Sequence, residues 1–267
     1  MPFQTINSTP VFYTTTPSTS STTPPLTTLL IHGLGSSSCF YASIIPSLSP
    51  LTNCIALDTP GSGLSPLVNP DQTIDTIAEV ALDLLSELKV TENVVLIGHS
   101  MGGIVASVLA SKMGWRCKGV ILLGPVDPGE GLKSVFEKRI EVVKTDGLEA
   151  LANTVPTAAT GTKSTPLHHA FIRSLILGTS SEGYISLCNA IANAKGPRYS
   201  HIRVPLLILA GEDDKTASVE SAEKILKEYG TRGGEKEVKV LSGVGHWHCV
   251  ESPEEVGSLI AEFVRTL

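Results

Sequence analysis

Residues 94–103 read Val-Val-Leu-Ile-Gly-His-Ser-Met-Gly-Gly, an aliphatic run that passes without a spacer into a glycine-flanked serine and then into a helical pattern. A strand-to-helix turn this short forms only if the residues two before and two after the serine are small, which Gly98, Gly102 and Gly103 satisfy. Such a turn strains the serine backbone and sets its hydroxyl at a helix N-terminus, where free N–H groups and the macrodipole favour developing negative charge. Ser100 is therefore the candidate nucleophile. A purely packing role for the glycines is the weaker reading, because the strand and the helix both flank them.

The rest of the chain carries the rhythm this turn requires. Short aliphatic runs at 26–31, 53–57, 94–97, 119–123, 206–210 and 238–241 alternate with longer stretches of helical period, the pattern of a mostly parallel sheet flanked by crossover helices. Ile74, Ile77, Ala78, Ala81, Leu84, Leu85 and Leu88 share one helix face. A second helix is expected from Ser100 to about Met113, closed by Gly114, with others over 219–229 and 253–264, the last with Pro253 in its first turn. The Ser/Thr/Pro-rich first 25 residues could form a disordered tail, but two β-prone pieces, 3–6 and 10–14, suggest instead a hairpin whose far loop is the low-complexity stretch 16–25. From Asp127 to Ile202 the strand signal stops, leaving amphipathic stretches at 132–143, 148–155, 167–177 and 184–194. The expected organisation is an α/β core of residues 1–126 and 203–267, with a helical lid, 127–202, inserted after the sixth strand. No repeat at solenoid-like periods is present.

Composition narrows the function classes. With 42% apolar and 17% charged residues, the 267-residue chain has a globular balance and enough length for a large core. A net charge of −6, with no cluster of Lys and Arg, argues against nucleic acid as a partner. Residues 1–25 show neither the basic start nor the apolar run of a secretory signal or anchor, and nowhere do apolar residues reach the roughly 18 to 20 needed to span a bilayer. Cys39, Cys54, Cys117, Cys188 and Cys249 are odd in number and scattered, which fits reduced thiols in the cytosol, and the Asn7-Ser8-Thr9 triplet then has no glycan to accept.

A serine hydroxyl needs a base, and the base needs an orienting carboxylate. The order expected after a turn of this kind is serine, acid, histidine. The run 206–210 leads into Gly211-Glu212-Asp213-Asp214, and 238–241 leads toward Gly243-Val244-Gly245-His246, both just past the carboxyl ends of strands. His246 is the favoured base and His248 its nearest competitor. His99 is too close in sequence to reach its neighbour's hydroxyl well, and His32, His168, His169 and His201 have weaker claims. A metal site from His246, His248 and Cys249 would crowd three ligands into one loop and is disfavoured. For the acid, Asp213, Asp214 and Asp127 are all open. The run 26–31 ends in His32-Gly33-Leu34-Gly35, so the N–H groups of Leu34 and Met101 are the expected oxyanion donors.

Taken together, residues 29–264 resemble the α/β-hydrolase superfamily. Beyond the turn at Ser100, Asp58-Thr59-Pro60-Gly61-Ser62-Gly63-Leu64-Ser65 looks like that superfamily's DxxGxGxS loop, Gly211 to Asp214 like its GxxD acid motif, and Gly245-His246 with Glu251-Ser252-Pro253 like its GH…ExP segment. The resemblance implies Asp214 as the acid and His246 as the base. More finely, Glu182-Gly183-Tyr184 through Ala190, and Ile202-Arg203-Val204-Pro205, look like 3-oxoadipate enol-lactonases and related small lactone or ester hydrolases, which often carry an apolar residue where this chain has His99. The expected protein is a cytoplasmic monomer or homodimer that cleaves a small ester or lactone through an acyl-enzyme, with no metal or organic cofactor and no membrane or nucleic-acid partner. Carbon–carbon hydrolysis of a diketone-type substrate and a low-turnover ligand receptor are the rival readings. Dehalogenase and epoxide-hydrolase chemistry would need a carboxylate where Ser100 stands.

Overall fold

The two N-terminal pieces pair with each other. In the computed structural model, which describes residues 2–19 and 25–267, β1 (Phe3–Ile6) runs antiparallel to β2 (Thr9–Thr16). Asn7 and Ser8 join them with φ of 47° and 68°, the positive values that a two-residue hairpin matching strand twist demands. Residues 20–24 of the Ser/Thr/Pro-rich stretch lie outside the described residues.

β2 joins the main sheet antiparallel to β4 (Thr52–Leu57), and every later pairing is parallel. With β3 (Leu26–Ile31), β5 (Val94–His99), β6 (Cys117–Leu123), β7 (Leu206–Gly211) and β8 (Lys236–Leu241), the spatial order is β1-β2-β4-β3-β5-β6-β7-β8. From β3 the chain steps to β4 on one side, then crosses back to β5 on the other. That reversal opens a crevice at the carboxyl ends of β3 and β5, where open α/β sheets bind ligands. The register sharpens it, because Ile31 pairs with Gly98 and His99 with Leu123. The loops carrying His32, Ser100, Asp214 and His246 thus all leave one end of the sheet.

Central strands are buried on both faces: Leu29, Leu30, Ile31, Leu96, Ile97, Leu207 and Ile208 have no measurable exposure. Hence their sequences run aliphatic without alternation. β8 lies at the open edge and carries Lys236, Glu237 and Lys239, charges that discourage pairing with another chain.

Short α1 (Ile45–Leu48) is followed by α2 (Ile74–Glu87), which starts at a capping box between Thr73 and Thr76. The next helix, α3 (Met101–Met113), has an almost wholly buried surface and ends at Gly114 with φ 56°. Between β6 and β7 come only helices: α4 (Glu130–Ala158), α5 (Pro166–Leu177) and α6 (Ser181–Ala192). The separate stretches expected at 132–143 and 148–155 are two helices that meet at Gly147, whose φ of 74° and ψ of 179° are not helical, and together they make up α4. After β7 come α7 (Val219–Glu228), α8 (His248–Glu251) and α9 (Pro253–Val264).

Candidate active site

Ser100 has φ 53° and ψ −118° and is 8% exposed, a backbone state a non-glycine residue keeps only when its surroundings impose it. Here they do. Its N–H donates to the Leu123 carbonyl at 3.0 Å, tying the turn to β6. A Cβ on Gly98 would run into the Gly102 carbonyl, and one on Gly102 into the Ile31 carbonyl. The glycines flanking the serine are thus required by backbone meeting backbone.

Across the same crevice, His246 Nδ1 lies 2.7 Å from Asp214 Oδ2. The other oxygen of Asp214 accepts the N–H groups of Thr216 at 2.7 Å and Ala217 at 2.9 Å. Burial pushes the Asp214 carboxyl up, but the imidazole of His246, its hydrogen bond, His248 and the Ala217 N–H outweigh it and hold the acid below the usual carboxylate range. An ionised Asp214 fixes the tautomer with hydrogen on Nδ1, leaving Nε2 of His246 to exchange a proton. The rival acids point elsewhere. Asp213 accepts the N–H and hydroxyl of Thr162, and Asp127 accepts Lys224 Nζ at 2.6 Å.

The competing histidines bond to the backbone of His246. His248 donates Nδ1–H to the His246 carbonyl at 2.9 Å, and His99 donates Nε2–H to the same oxygen at 2.8 Å. A carbonyl only accepts, so these contacts fix both tautomers. Burial, against Asp214, pulls His248 down to about 4. Burial also drives His99 well below 6.5, with His246 and His248 adding to the effect, while its ring stacks on Phe40 at 4.3 Å. Gly124, at φ 48°, leaves room for this group, since a Cβ there would sit 2.7 Å from His248 Cε1 and 3.0 Å from Asp214 Oδ2.

Neither the Leu34 N–H nor the Met101 N–H has an acceptor among the described residues. Met101 opens α3, so its N–H belongs to the unpaired first turn. The Leu34 loop is held by His32, whose Nδ1–H donates to the Gly33 carbonyl at 2.7 Å and whose Nε2 accepts the Thr59 N–H at 3.0 Å. Its partner loop is in turn bracketed by Asp58, which accepts the N–H groups of Ser38 and Leu64. The bonds from Thr59 to His32 and from Ser38 to Asp58 span 27 and 20 positions, contacts that the motifs holding these two residues do not by themselves reveal.

Ser100, His246, Leu34 and His99 line one narrow cavity of about 30 Å³, whose opposite wall is Phe136, Arg139, Val155, Ile176 and Tyr184 from α4, α5 and α6. Burial pushes the Tyr184 phenol up to about 12, so its hydroxyl stays protonated. Larger grooves exist, such as one of about 460 Å³ between Gln72 and Asn193, but they hold no nucleophile with a base. Among the described residues no three His, Cys, Asp or Glu side chains are placed to hold a metal ion. His248 and Cys249 of the disfavoured metal set are both fully buried, His248 on the His246 carbonyl.

The sequence model of a family described as "Alpha/beta hydrolase family" matches residues 28–259. The chain belongs to this family. Among curated relatives, the hydrolase is 25% identical over 263 residues to the 2-hydroxy-6-oxo-6-(2'-aminophenyl)hexa-2,4-dienoic acid hydrolase of Metapseudomonas resinovorans, covering 88% of this chain and 83% of that one. It is 29% identical over 170 residues to 3-oxoadipate enol-lactonase 2 of Acinetobacter baylyi, covering 62% of each. Among solved structures, the enol-lactonase from Burkholderia xenovorans LB400 superposes with a TM-score of 0.89 at 24% identity, over 99% of this chain and 100% of that one. A thermophilic esterase from Thermogutta terrifontis superposes at 0.87 and 23% identity, over 97% and 94%. No helix among the described residues is long and apolar enough to cross a membrane.

Proposed function

We propose that this hydrolase cleaves a carboxylic ester or lactone through an acyl-enzyme. The observation that carries the reading is the His246–Asp214 pair at 2.7 Å, which shares one cavity with a strained serine and the Leu34 loop. Ser100 Oγ attacks the carbonyl carbon while His246 Nε2 takes its proton, and Asp214 stabilises the imidazolium. The oxyanion of the tetrahedral intermediate meets the free N–H groups of Leu34 and Met101, each worth about 3 to 4 kcal/mol of transition-state stabilisation. Collapse expels the alkoxide, or opens the lactone ring, with His246 returning the proton. Water then repeats the sequence on the acyl-enzyme, releasing the acid and restoring the serine. Residues 127–202 act as the lid that excludes water from these steps. The substrate is a small molecule, and no part of this mechanism calls on a cofactor. The five unpaired cysteines suit a reducing compartment, which we take to be the cytosol.

Comparing Ser100→Ala with the unaltered enzyme on p-nitrophenyl acetate and simple lactones tests the reading. Turnover should disappear in the variant, and a fluorophosphonate should label only the protein that keeps Ser100. Undiminished turnover sinks the mechanism. A second reading, carbon–carbon hydrolysis with the same residues, draws support from relatives named as dienoic acid and dienoate hydrolases. Product analysis on a vinylogous diketone separates the two.

A further inference from the structure

Glu251, at the end of α8, is 5% exposed and enters no ion pair among the described residues. Its carboxylate is used entirely on backbone. Oε2 accepts the N–H of Gly245 at 2.9 Å and of Gly161 at 2.6 Å, while Oε1 accepts the N–H of Trp247 at 2.9 Å. Gly245 and Trp247 are the residues on either side of His246. Gly161 belongs to the link between α4 and α5, far away in sequence. In that same link the Ala159 carbonyl accepts the N–H of His246 itself at 2.8 Å.

The two stretches touch backbone to backbone: a Cβ on Gly161 would lie 2.7 Å from Gly245 N, and one on Gly245 would lie 2.5 Å from Gly161 N. Three N–H groups turned toward one side chain, two on one oxygen and one on the other, match an acceptor with two oxygens and no hydrogen of its own, which among side chains only a carboxylate supplies. Glutamine would turn an NH2 toward an N–H, and a buried donor left facing a donor loses its partner at appreciable cost. The neighbouring contacts extend the seam. Asp213 accepts Thr162 N–H at 2.9 Å, the Lys163 N–H donates to the Gly243 carbonyl at 2.9 Å, and Lys163 Nζ meets Glu255 at 3.0 Å.

We propose that Glu251 is a positioning residue for the base, and that it makes the orientation of His246 depend on the α4–α5 link being seated. The inference rests on the role proposed above for His246. Residues 159–163 then form the fixed corner of the insertion. Whatever part of the insertion shifts to admit substrate, a shift at this corner would pull on both peptides that carry the base.

The test uses the full-length protein as Glu251→Gln, Glu251→Ala and Glu251→Asp, with reactive serine counted by fluorophosphonate titration so that turnover is expressed per competent site. Expected for Glu251→Gln is a fall in kcat on the order of ten-fold or more with a much smaller change in KM, as misplaced catalytic groups produce. The acidic limb of the pH profile of kcat/KM should move, and the amides of Gly161 and Trp247 should exchange faster together. Glu251→Asp keeps the charge and should recover part of the loss. The Gln and Asp variants keep the site polar and filled, so the test does not depend on Glu251→Ala folding. Unaltered kcat per labelled serine with an unmoved pH profile in Glu251→Gln overturns the positioning role alone. So does exchange that quickens at Trp247 while Gly161 stays protected. If the unaltered enzyme neither labels at Ser100 nor turns over ester or lactone, the reading beneath the proposal fails, and the proposal with it.

Discussion

The imidazole of His99, immediately before the serine, donates its Nε2–H to the backbone carbonyl of His246 at 2.8 Å. One residue therefore links the turn that carries Ser100 to the loop that carries His246. Replacing it by leucine, the apolar kind of residue often found there in enol-lactonases, leaves that carbonyl with His248 as its remaining donor. His99→Leu is expected to cost about 1 to 2 kcal/mol of stability and to lower kcat more than KM rises. Urea midpoints and steady-state kinetics on p-nitrophenyl acetate check both.

Asp214→Asn should be far more damaging than either rival substitution. An amide at this position favours the wrong imidazole tautomer, which in the best-known triads lowers kcat by about 10⁴. Asp213→Asn and Asp127→Asn, whose carboxylates bond Thr162 and Lys224, should stay within several-fold of the unaltered enzyme. Initial rates on one ester suffice, and a reversed ranking would move the acid.

Acid should destabilise the fold before it titrates ordinary carboxylates. His248 is held neutral down to about 4 by burial, whereas in the unfolded chain it titrates near 6.5. Between those values the unfolded state binds a proton that the native state refuses, so stability is fully present above about 6.5 and falls as pH drops toward 4. The difference corresponds to about 3 kcal/mol as an upper bound, with His99 acting in the same direction. Asp214, lowered in the native state, adds a contribution present above its unfolded value and lost as pH falls through its native one. Urea midpoints from pH 7.5 to 4 should decline, and His248→Asn, which keeps a donor for the His246 carbonyl, should flatten the decline.

Arg139 offers a handle on substrate choice. Half-buried above the Phe136 ring at 5.2 Å, it is the one guanidinium among the described residues lining the cavity, and no Asp or Glu lines it. A monoester that carries a free carboxylate should therefore be preferred to its methyl ester, and Arg139→Gln should shrink the ratio of their kcat/KM values several-fold. A ratio that does not change with the substitution removes Arg139 from recognition.

Legibility from sequence followed the distance over which each feature is determined. The turn at Ser100, the parallel strands and the loops bearing His246 and the acid are set by residues a few positions apart, and each was readable. Adjacent Asp213 and Asp214 offer the same chemistry, so residue type and spacing left the choice open, resemblance to the superfamily motif pointed to Asp214, and the loop geometry turns that carboxylate to His246. The donations of His99 and His248 to one carbonyl, and the seating of Gly161 on Glu251, join segments up to 147 positions apart. No local pattern encodes them. Of Glu251 the sequence offered only its place in a motif.

Gly147 interrupts α4 at a point where a side chain would meet nothing within 4 Å. Upstream of it lie Phe136 and Arg139, and downstream lie Val155 and the corner bonded to His246. The part of α4 that brings Phe136 and Arg139 to the cavity is thus joined through one non-helical residue to the part that leads to the Ala159 carbonyl and His246. A side chain at Gly147 would find space but not a comfortable backbone, since its φ of 74° is strained for any other residue, so the joint between the two halves of α4 depends on glycine.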